Sequence, residues 1–320
     1  MSMESKSNAY FKVVIIVLLL LSFCYMSLND SILAIERNYW KECLEAGQQS
    51  QDKFFSYVKG LTIKEILKLG EQAGLDAQDK ELRGEDKEIV RDATIFTLGM
   101  IIGCFLENAN RQEKVKIFTL ISDKDQPLVW RLALVTILES IIARGDDTFF
   151  LRTGCSFIEP LHKIMLNPQE DIDLRVQSCR TATNMLLWDY ERFQQDEVSA
   201  DKISMDKIEE NVSILLYIVK NPKENKLIKE SAGFFVRQWY IANIPQSDYI
   251  QREILQLWEE MEDYSLEDRV FLATNAYLPD EEFIPYIETL LNDVKDKATK
   301  HKINKVLKEI KQIIESKKNN

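Results

Sequence analysis

Hydrophobic and polar positions follow one another along this chain at the three- and four-residue spacing of helices that bury one face. The spacing is clearest near the C-terminus, where the apolar positions are Ile303, Val306, Leu307, Ile310, Ile313 and Ile314. With 10 glycines and 7 prolines in 320 residues, the chain has too few turn residues for the many tight turns of an all-β fold. The pattern therefore predicts an all-α protein.

One segment near the N-terminus departs from this amphipathic pattern. Val13–Leu28 is a run of sixteen uncharged, largely apolar residues that follows Lys12 and precedes Asn29 and Asp30. As a helix it would span about 24 Å, which is shorter than the roughly 30 Å hydrocarbon core of a bilayer. Residues 1–34 are therefore interpreted either as a signal anchor that is retained or as a signal peptide that is cleaved.

Two local features bear on how this segment is processed. Ala34 offers a small residue for cleavage, but Ile32 is aliphatic where a second small residue is preferred. Leu21–Cys24 resembles the lipobox of lipoproteins, in which Cys24 would be lipidated, but Phe23 stands where that motif has a small residue. Anchor, cleaved peptide and lipoprotein therefore all remain open.

The charges beside the segment predict its orientation. Lys6 and Lys12 lie on the N-terminal side, whereas Asn29 and Asp30 follow the apolar run. Because lysine and arginine are retained on the cytoplasmic side of a membrane, residues 35–320 are expected outside the cytoplasm. The protein would be membrane-anchored if the segment is retained, and exported or periplasmic if it is cleaved.

A short phrase recurs after the apolar segment: an apolar helix, a polar break, and a second helix that opens on a hydrophobic and a basic residue. In four copies an acidic or amide residue precedes the basic residue by five positions, as in Asp86 and Arg91, Gln126 and Arg131, Glu170 and Arg175, and Glu224 and Lys229. The basic positions are 40, 44 and 54 residues apart, and Arg269 follows after a further 40. Periods near this length with two helices per unit are typical of helical solenoids.

The breaks between these helices carry turn signals. Asn167-Pro168 and Asn221-Pro222 each end an apolar helix, because proline cannot continue a helix and biases the preceding residue away from the α conformation. Ser122–Asp125 offers side-chain capping at the corresponding break of another copy. The uneven repeat spacing predicts insertions near 145–156 and 190–206, in loops of the kind that often border a binding face.

The recurring phrase resembles the HEAT-repeat superfamily, whose units typically carry a turn proline, an aspartate and a valine-arginine pair at the start of the second helix. Asp86, Val90 and Arg91 match this pattern closely, and the copies at Arg131 and Arg175 match it with substitutions. The resemblance covers roughly residues 50–315. It implies a right-handed α-α solenoid over residues 35–320. HEAT-like proteins are mostly scaffolds and binding surfaces, and the resemblance carries over no catalytic residue.

The charged positions of the phrase are interpreted as structural. We call Asp86, Arg91, Arg131, Glu170, Arg175, Glu224, Lys229 and Arg269 the repeat ladder. Each basic residue could reach the acidic or amide residue of its adjoining turn and satisfy the polar groups of that turn. The alternative is a row of cations that binds a ligand.

Motifs for catalysis, nucleotides or metals are lacking in the sequence. It contains no GxGxxG, GxxxxGK[ST] or GxSxG string. Its two histidines, His162 and His301, are 139 residues apart, with no cysteine or second histidine at metal-ligand spacing. His162 lies near a helix start and is expected to be solvated. The sequence therefore predicts no catalytic residue, no metal site and no cofactor.

Aromatic residues concentrate in the second half of the chain, at Trp188, Tyr190, Trp239, Tyr240 and Trp258. One interpretation is core filling, since large aromatic side chains dominate helical cores. The other is an interaction surface or groove that binds a peptide or glycan. Two hypotheses for the function follow: a non-enzymatic scaffold for protein–protein interaction, or a carboxylate-dependent enzyme that acts on a glycan or peptide in a tryptophan-lined groove.

Charge is divided unevenly along the chain. The whole chain carries −11, but residues 295–320 contain nine lysines against three carboxylates, so this tail carries +6 and the remainder −17. The tail is expected to form a cationic amphipathic helix near 295–316, which packs on the last repeat or binds anionic lipid or an acidic partner. Because the acidic remainder would repel phosphate, protein and membrane partners are expected and nucleic acid is not.

Four cysteines follow the apolar segment, namely Cys43, Cys104, Cys155 and Cys179. An exported protein could join such cysteines in disulfides. Three of them lie within apolar helical patterns and are expected to be buried free thiols. Cys155 lies in a glycine-containing stretch and is expected to be exposed.

Overall fold

A computed structural model describes residues 37–143, 155–195, 205–260 and 264–318. Within these ranges the chain forms 14 α-helices and no β-strand, so the all-α prediction is confirmed. The apolar segment at residues 13–28 and most of both predicted insertions lie outside the described residues. The chain divides into two compact units, Met1–Phe149 and Phe150–Asn320.

The first unit contains six helices within residues 37–143. They are α1 (Tyr39–Gln49), α2 (Gln51–Lys59), α3 (Ile63–Leu82), α4 (Lys87–Asn108), α5 (Arg111–Thr119) and α6 (Leu128–Ala143). Side-chain caps define several starts: Thr62 and Glu65 form a capping box at α3, and Asn110 and Glu113 form another at α5. Helix α4 packs against α2, α3 and α6.

Two glycines allow α3 to pack closely against α6. An added Cβ at Gly70 would lie 2.5 Å from the ring of Trp130, and one at Gly74 would lie 2.4 Å from Pro127. Both distances are shorter than any van der Waals contact, so α3 can accept these side chains only where it carries glycine. Trp130, which replaces the aliphatic residue of the repeat phrase, is thereby fully buried.

The second unit contains eight helices within its described residues. They are α7 (Cys155–Leu166), α8 (Ile172–Gln194), α9 (Met205–Lys220), α10 (Lys226–Ile241), α11 (Ser247–Glu259), α12 (Leu266–Asn275), α13 (Ile284–Asp293) and α14 (Lys297–Lys318). Helices α7, α9 and α11 contact one another in order, and so do α8, α10 and α12. Because α7 also packs on α8 and α9 on α10, this part of the unit has two layers of helices.

The predicted Asn-Pro turns separate helices, as expected. Helix α7 ends at Leu166 and α9 at Lys220, one residue before Asn167 and Asn221. Each asparagine side chain accepts the backbone N–H two residues later, which closes the turn. The second helices then begin on side-chain caps from Asp86, Asp171, Asn225 and Ser265.

Helices occupy parts of both regions that were expected to be insertions. Helix α7 already begins at Cys155, and α8 continues to Gln194. The extension of α8 has a physical reason, because Tyr190 is buried and its hydroxyl accepts a hydrogen bond from Gln194 Nε2 at 2.8 Å. The helical pattern of buried positions therefore persists past Trp188.

The C-terminal helix α14 packs on α12 and α13. Its contacts are made by an apolar row, since Ile303, Val306, Leu307 and Ile310 are buried. The lysines lie mainly on the opposite side, where they are exposed. By packing this row against α12 and α13, α14 covers apolar side chains at the end of the second unit.

Replacing Gly233 tests the closest backbone approach in the second unit. An added Cβ would lie 2.2 Å from the carbonyl oxygen of Asn275, at the end of α12. We expect Gly233→Ala to lower the free energy of unfolding in urea by about 1–3 kcal/mol, because backbone must move. The matched control is Gly99→Ala in α4, where nothing lies within 4 Å of the added Cβ. Alanine there should stabilise by about 0.5–1 kcal/mol, and equal effects at the two positions would contradict this packing.

Candidate interaction site

Two arginines of the repeat ladder are buried and bind backbone carbonyls. Arg131 Nε donates to the carbonyl oxygen of Ile121 at 2.8 Å, and Arg175 Nε donates to that of Met165 at 3.0 Å. Each carbonyl lies ten residues earlier, where the preceding helical segment ends. Carbonyls in a last helical turn lack a partner within the helix, so the arginine that opens the next helix satisfies them.

Arg175 also joins two copies of the repeat. Its guanidinium donates to both carboxylate oxygens of Glu224 at 2.8 and 2.9 Å, and the two side chains are only 4% and 9% exposed. The hydrogen bonds from Arg175 hold the pKa of Glu224 below its ordinary value. The expected partner of Arg175 was Glu170 of its own turn, whereas the carboxylate that Arg175 binds here is Glu224. The carboxylate comes from the next copy, 49 residues later.

The other cations of the ladder are half-buried. Lys229 Nζ lies 5.6 Å from the ring centre of Phe271, and burial lowers the pKa of Lys229 although nearby carboxylates favour its charged form. Arg269 pairs with Asp293 at 2.9 Å. Arg91 Nε lies 3.6 Å from the carboxylate of the following residue. These side chains therefore do not form an open row of cations for a ligand.

The two remaining ladder carboxylates belong to turns. Asp86 caps α4 and accepts the backbone N–H groups of Glu88 and Ile89 at 3.0 and 3.1 Å. Glu170 is half-buried between α7 and α8, and its backbone N–H donates to the carbonyl of Asn167. Ladder positions thus fix helix starts and turns, which is a structural role.

Three of the five clustered aromatic residues lie in the core. Trp239, Trp258 and Tyr190 are 0%, 1% and 3% exposed, whereas Trp188 and Tyr240 are half-buried. Trp258 Nε1 donates to a backbone carbonyl at 3.0 Å, and Tyr190 meets Trp239 edge-on with ring centres 6.3 Å apart. The alternative of an aromatic interaction surface is therefore wrong for these three residues. Neighbouring helices cover the ring faces that a peptide or glycan would need to contact.

A cleft of about 390 Å³ lies at the end of α8. It is lined by Tyr190, Glu191, Gln194, Gln195, Ala242 and Asn243. Glu191 is the one carboxylate among these residues, whereas acid and base chemistry on a glycosidic bond uses two. The cleft therefore gives no support to a two-carboxylate enzyme.

His162 is buried, which corrects the expectation that it is solvated. It is 2% exposed and shares the inner face of α7 with Ile158 and Met165, which precede and follow it by four and three residues. The position on the helix thus overrides the polarity of the side chain. Burial of a polar ring is tolerated only where it finds hydrogen-bond partners.

Those partners come from the two neighbouring helices. His162 Nε2 lies 3.0 Å from Asn211 Oδ1 on α9, and Asn211 Nδ2 donates to Thr183 Oγ1 on α8 at 3.1 Å. Because the amide nitrogen serves Thr183, the amide oxygen faces the histidine and His162 donates from Nε2. Its Nδ1 lies 3.4 Å from a carboxylate oxygen of Glu210. Burial lowers the pKa of His162, so the neutral ring ties the three helices together.

Helix α10 carries a row of exposed apolar side chains. Leu227, Phe234 and Ile241 are spaced seven residues apart and are 52%, 44% and 40% exposed. A spacing of seven residues returns to the same side of a helix after two turns. The three side chains therefore lie on one side of α10, in a row that we call the α10 stripe.

Helix α4 has exposed apolar side chains at equivalent repeat positions. Ile89 and Phe96 are 65% and 47% exposed. Ile89 and Leu227 each precede the basic ladder residue of their helix by two, and Phe96 and Phe234 each follow it by five. The sequence did not reveal that these positions are exposed, because apolar residues on a helix are first assigned to its core. A signal for the exposed positions was present in the sequence, because these helices carry apolar residues on both sides and only one side can face the core.

Charged side chains border the α10 stripe. The guanidinium of Arg237 lies 5.5 Å from the ring centre of Phe234 and 4.5 Å from that of Tyr277. Lys226, beside Leu227, forms an ion pair with Glu267 at the start of α12. An apolar strip between charged groups has the layout of a protein interface, with a dry centre and a polar rim.

The buried cysteines are free thiols, as predicted for three of them. Cys43, Cys104 and Cys179 are buried and unpaired with one another, and the side chain of Cys155 lies outside the described residues. Burial raises the pKa of Cys43, and raises that of Cys179 to about 12. Because the thiolate is the reactive form, these groups are chemically quiet at neutral pH.

Two observations within the described ranges bear on metal binding and on membrane insertion. No three His, Cys, Asp or Glu side chains there gather as a metal site. One helix in these ranges, α4, is long and apolar enough to cross a membrane, with a mean hydropathy of 1.7, and half of its apolar window is buried within the protein. Partial burial of this kind is also found in core helices of soluble proteins.

No protein-family model, curated protein or solved structure matches this chain. Its function is therefore inferred from its own residues.

The His162 network predicts a pH-dependent stability. Because the pKa of His162 is lowered in the folded protein, the unfolded chain binds more protons as the pH falls through the ordinary histidine pKa of about 6.5. The free energy of unfolding in urea should therefore be smaller at pH 5.5 than at pH 7.5. Both pH values lie above the ordinary pKa values of carboxylates, so the change reports mainly on histidine. His162→Gln should flatten this difference. His301→Gln, which changes the exposed histidine, should leave it intact, and a slope unchanged by His162→Gln would contradict the assignment.

Proposed function

We propose that this protein is a non-enzymatic scaffold that binds another protein through the exposed face of its second helices. The observation that carries the proposal is the α10 stripe, whose three apolar side chains remain 40–52% exposed. Single exposed apolar residues are common on soluble proteins, and the support for an interaction surface here is that three of them lie on the same side of one helix.

A HEAT-like, right-handed α-α solenoid is the architecture we propose for residues 35–320. Support comes from the recurring basic positions, from the turns at Asn167 and Asn221, and from the contacts between alternate helices of the second unit. In such a stack every helix pair buries its apolar face against its neighbours, and the second helices share one outer surface. Phe96 and Phe234, which occupy the same repeat position, are both exposed, each within its own unit.

The extent of the α10 stripe indicates the kind of partner. Three partly exposed side chains offer at most about 300 Å² of apolar surface, well below the roughly 800 Å² that each partner buries in a standard interface. A short amphipathic helix with apolar residues at seven-residue spacing fits such a strip. Its charged flanks would meet Arg237 and Glu230, which border the stripe on α10.

We propose that residues 13–28 hold this scaffold at a membrane, with residues 35–320 outside the cytoplasm, or direct its export if they are cleaved. The lysines before the apolar run support this orientation. Confinement to a membrane surface raises the effective concentration of scaffold and partner, so a small contact strip can suffice for binding.

Site-directed photocrosslinking in the native cell tests the surface. We expect the full chain with benzoylphenylalanine in place of Phe234 to give an adduct of one discrete mass. Leu227→Ser and Ile241→Ser together should reduce that adduct at least about tenfold, since burying each side chain contributes about 1.5–3 kcal/mol. Unfolding in urea should change little, because the three side chains are exposed.

The matched position is Tyr217 on α9, which is 60% exposed but lies outside the stripe. Benzoylphenylalanine there should not give the same adduct. An identical adduct from both positions, or one that persists in the double serine variant, would argue against a binding face on α10.

A further inference from the structure

From Lys297 to Gln312 the exposed face of α14 is neutral or basic, and the exposed carboxylate Glu315 follows near the end of the helix. Every fully exposed position from Lys297 to Gln312 carries lysine, histidine, alanine, asparagine or glutamine, and none carries a carboxylate. Lys297, His301, Lys305 and Lys308 follow one another at spacings of four, four and three residues, which places them along one line of the helix. At 1.5 Å rise per residue this line is about 16 Å long.

The nearby carboxylates are engaged elsewhere. Asp296 caps the start of α14 by accepting the backbone N–H of Thr299 at 2.7 Å. Glu309 forms a hydrogen bond with the side chain of Tyr277. Lys311 pairs with Glu288 at 3.2 Å, but no salt bridge within the described residues involves Lys297, Lys305 or Lys308. Lys297 and Lys305 therefore face solvent without an ion pair, whereas Lys308 lies in a cleft that also contains Glu288, Lys311 and Glu315.

The apolar side of α14 is already committed to the fold. Ile303 and Ile310 are 0% exposed, and Val306 and Leu307 are 7% exposed, against α12 and α13. An amphipathic helix that enters a membrane interface must offer its apolar face to lipid. Helix α14 cannot do so without leaving its unit, so any contact it makes uses charge alone.

We propose that the exposed face of α14 binds the anionic surface of a lipid bilayer. Lysine is depleted from the centres of protein interfaces, which need apolar or aromatic anchors, and the line from Lys297 to Lys308 contains none. A flat surface of anionic headgroups requires only exposed cations in a row. Helix α14 thus supplies a second membrane contact near the C-terminus. The contact is weakened by salt because attraction between exposed charges is screened over about 8–10 Å.

Lysine footprinting of the full chain in lipid nanodiscs tests this contact. One nanodisc contains only phosphatidylcholine, and the other contains phosphatidylcholine and phosphatidylglycerol in equal parts. We expect acetic anhydride to acetylate Lys297, Lys305 and Lys308 on the order of fivefold more slowly in the anionic nanodisc at low salt. High salt should remove the difference. Lys223, exposed in the turn before α10, is the internal control and should react at the same rate in both lipids.

A charge variant separates lipid contact from folding. Lys302 is exposed on the same helix and should also be acetylated more slowly in the anionic nanodisc. Lys297→Gln, Lys305→Gln and Lys308→Gln together should abolish this protection of Lys302, while the urea midpoint stays unchanged because the altered side chains are exposed. Equal acetylation rates in the two lipids would overturn the proposal. Protection in native membranes without protection in anionic nanodiscs would also overturn it, in favour of an acidic protein.

This experiment places the chain at a membrane through residues 13–28 and so rests on the proposed function. Failure of the anchor and failure of the α14 contact give different results. A chain that does not enter either nanodisc contradicts retention of residues 13–28 as an anchor. The same comparison is then made with the chain in solution and vesicles of the two compositions. Flotation with the anionic vesicles alone, lost in the triple glutamine variant, supports the α14 contact, and flotation with neither overturns it.

Discussion

A helix that ends inside a packed repeat leaves carbonyl oxygens that neither the helix nor water can satisfy. In the repeat ladder, a buried guanidinium donates hydrogen bonds to such a carbonyl. Arg131 reaches Ile121 and Arg175 reaches Met165, each over ten residues, so the start of one helix is bonded to the end of the one before. An arginine is suited to this position because its fixed fork can serve a carbonyl and a carboxylate together.

The same side chain relates one repeat to the next. Arg175 uses its remaining donors on Glu224, which lies in the turn before α10, so the position of α8 is coupled to the start of α10. A buried pair is tolerated only when its donors and acceptors are satisfied, and this pair meets that condition with both carboxylate oxygens engaged. The inward face of α10 packs in the core, and its outward positions, which include Phe234, remain exposed.

Local features of the fold could be predicted from the sequence. The turns at Asn167 and Asn221 depend on proline and on a nearby side chain, which act within a few residues. The pairing of Arg175 with Glu224 could not be predicted, because the two residues are 49 positions apart and meet only through helix packing, whereas the spacing of Glu170 and Arg175 suggests a pair within one turn. Burial of His162 and Trp239 likewise depends on which face of the helix meets its neighbours, and neither residue type decides that face.

The candidate site illustrates the same limit. Leu227, Phe234 and Ile241 look like ordinary core residues in the sequence, and their exposure follows from the orientation of α10, whose opposite face contains the buried Trp239. The clustered aromatic residues suggested an interaction surface, but Tyr190, Trp239 and Trp258 are buried between helices. A binding face in a helical repeat is therefore identified by which apolar residues remain after the core is filled, and not by residue type.

A double-mutant cycle between Arg175 and Glu224 tests the coupling of repeats most directly. The free energies of unfolding in urea are compared for Arg175→Met, Glu224→Gln, the double variant and the unchanged chain. Arg175→Lys serves as a folded alternative that keeps the charge and loses the fork. We expect the two single changes to be non-additive by about 1–3 kcal/mol, as for residues in one buried network. Effects that add to within about 0.5 kcal/mol would contradict the claim that this pair couples α8 to the start of α10.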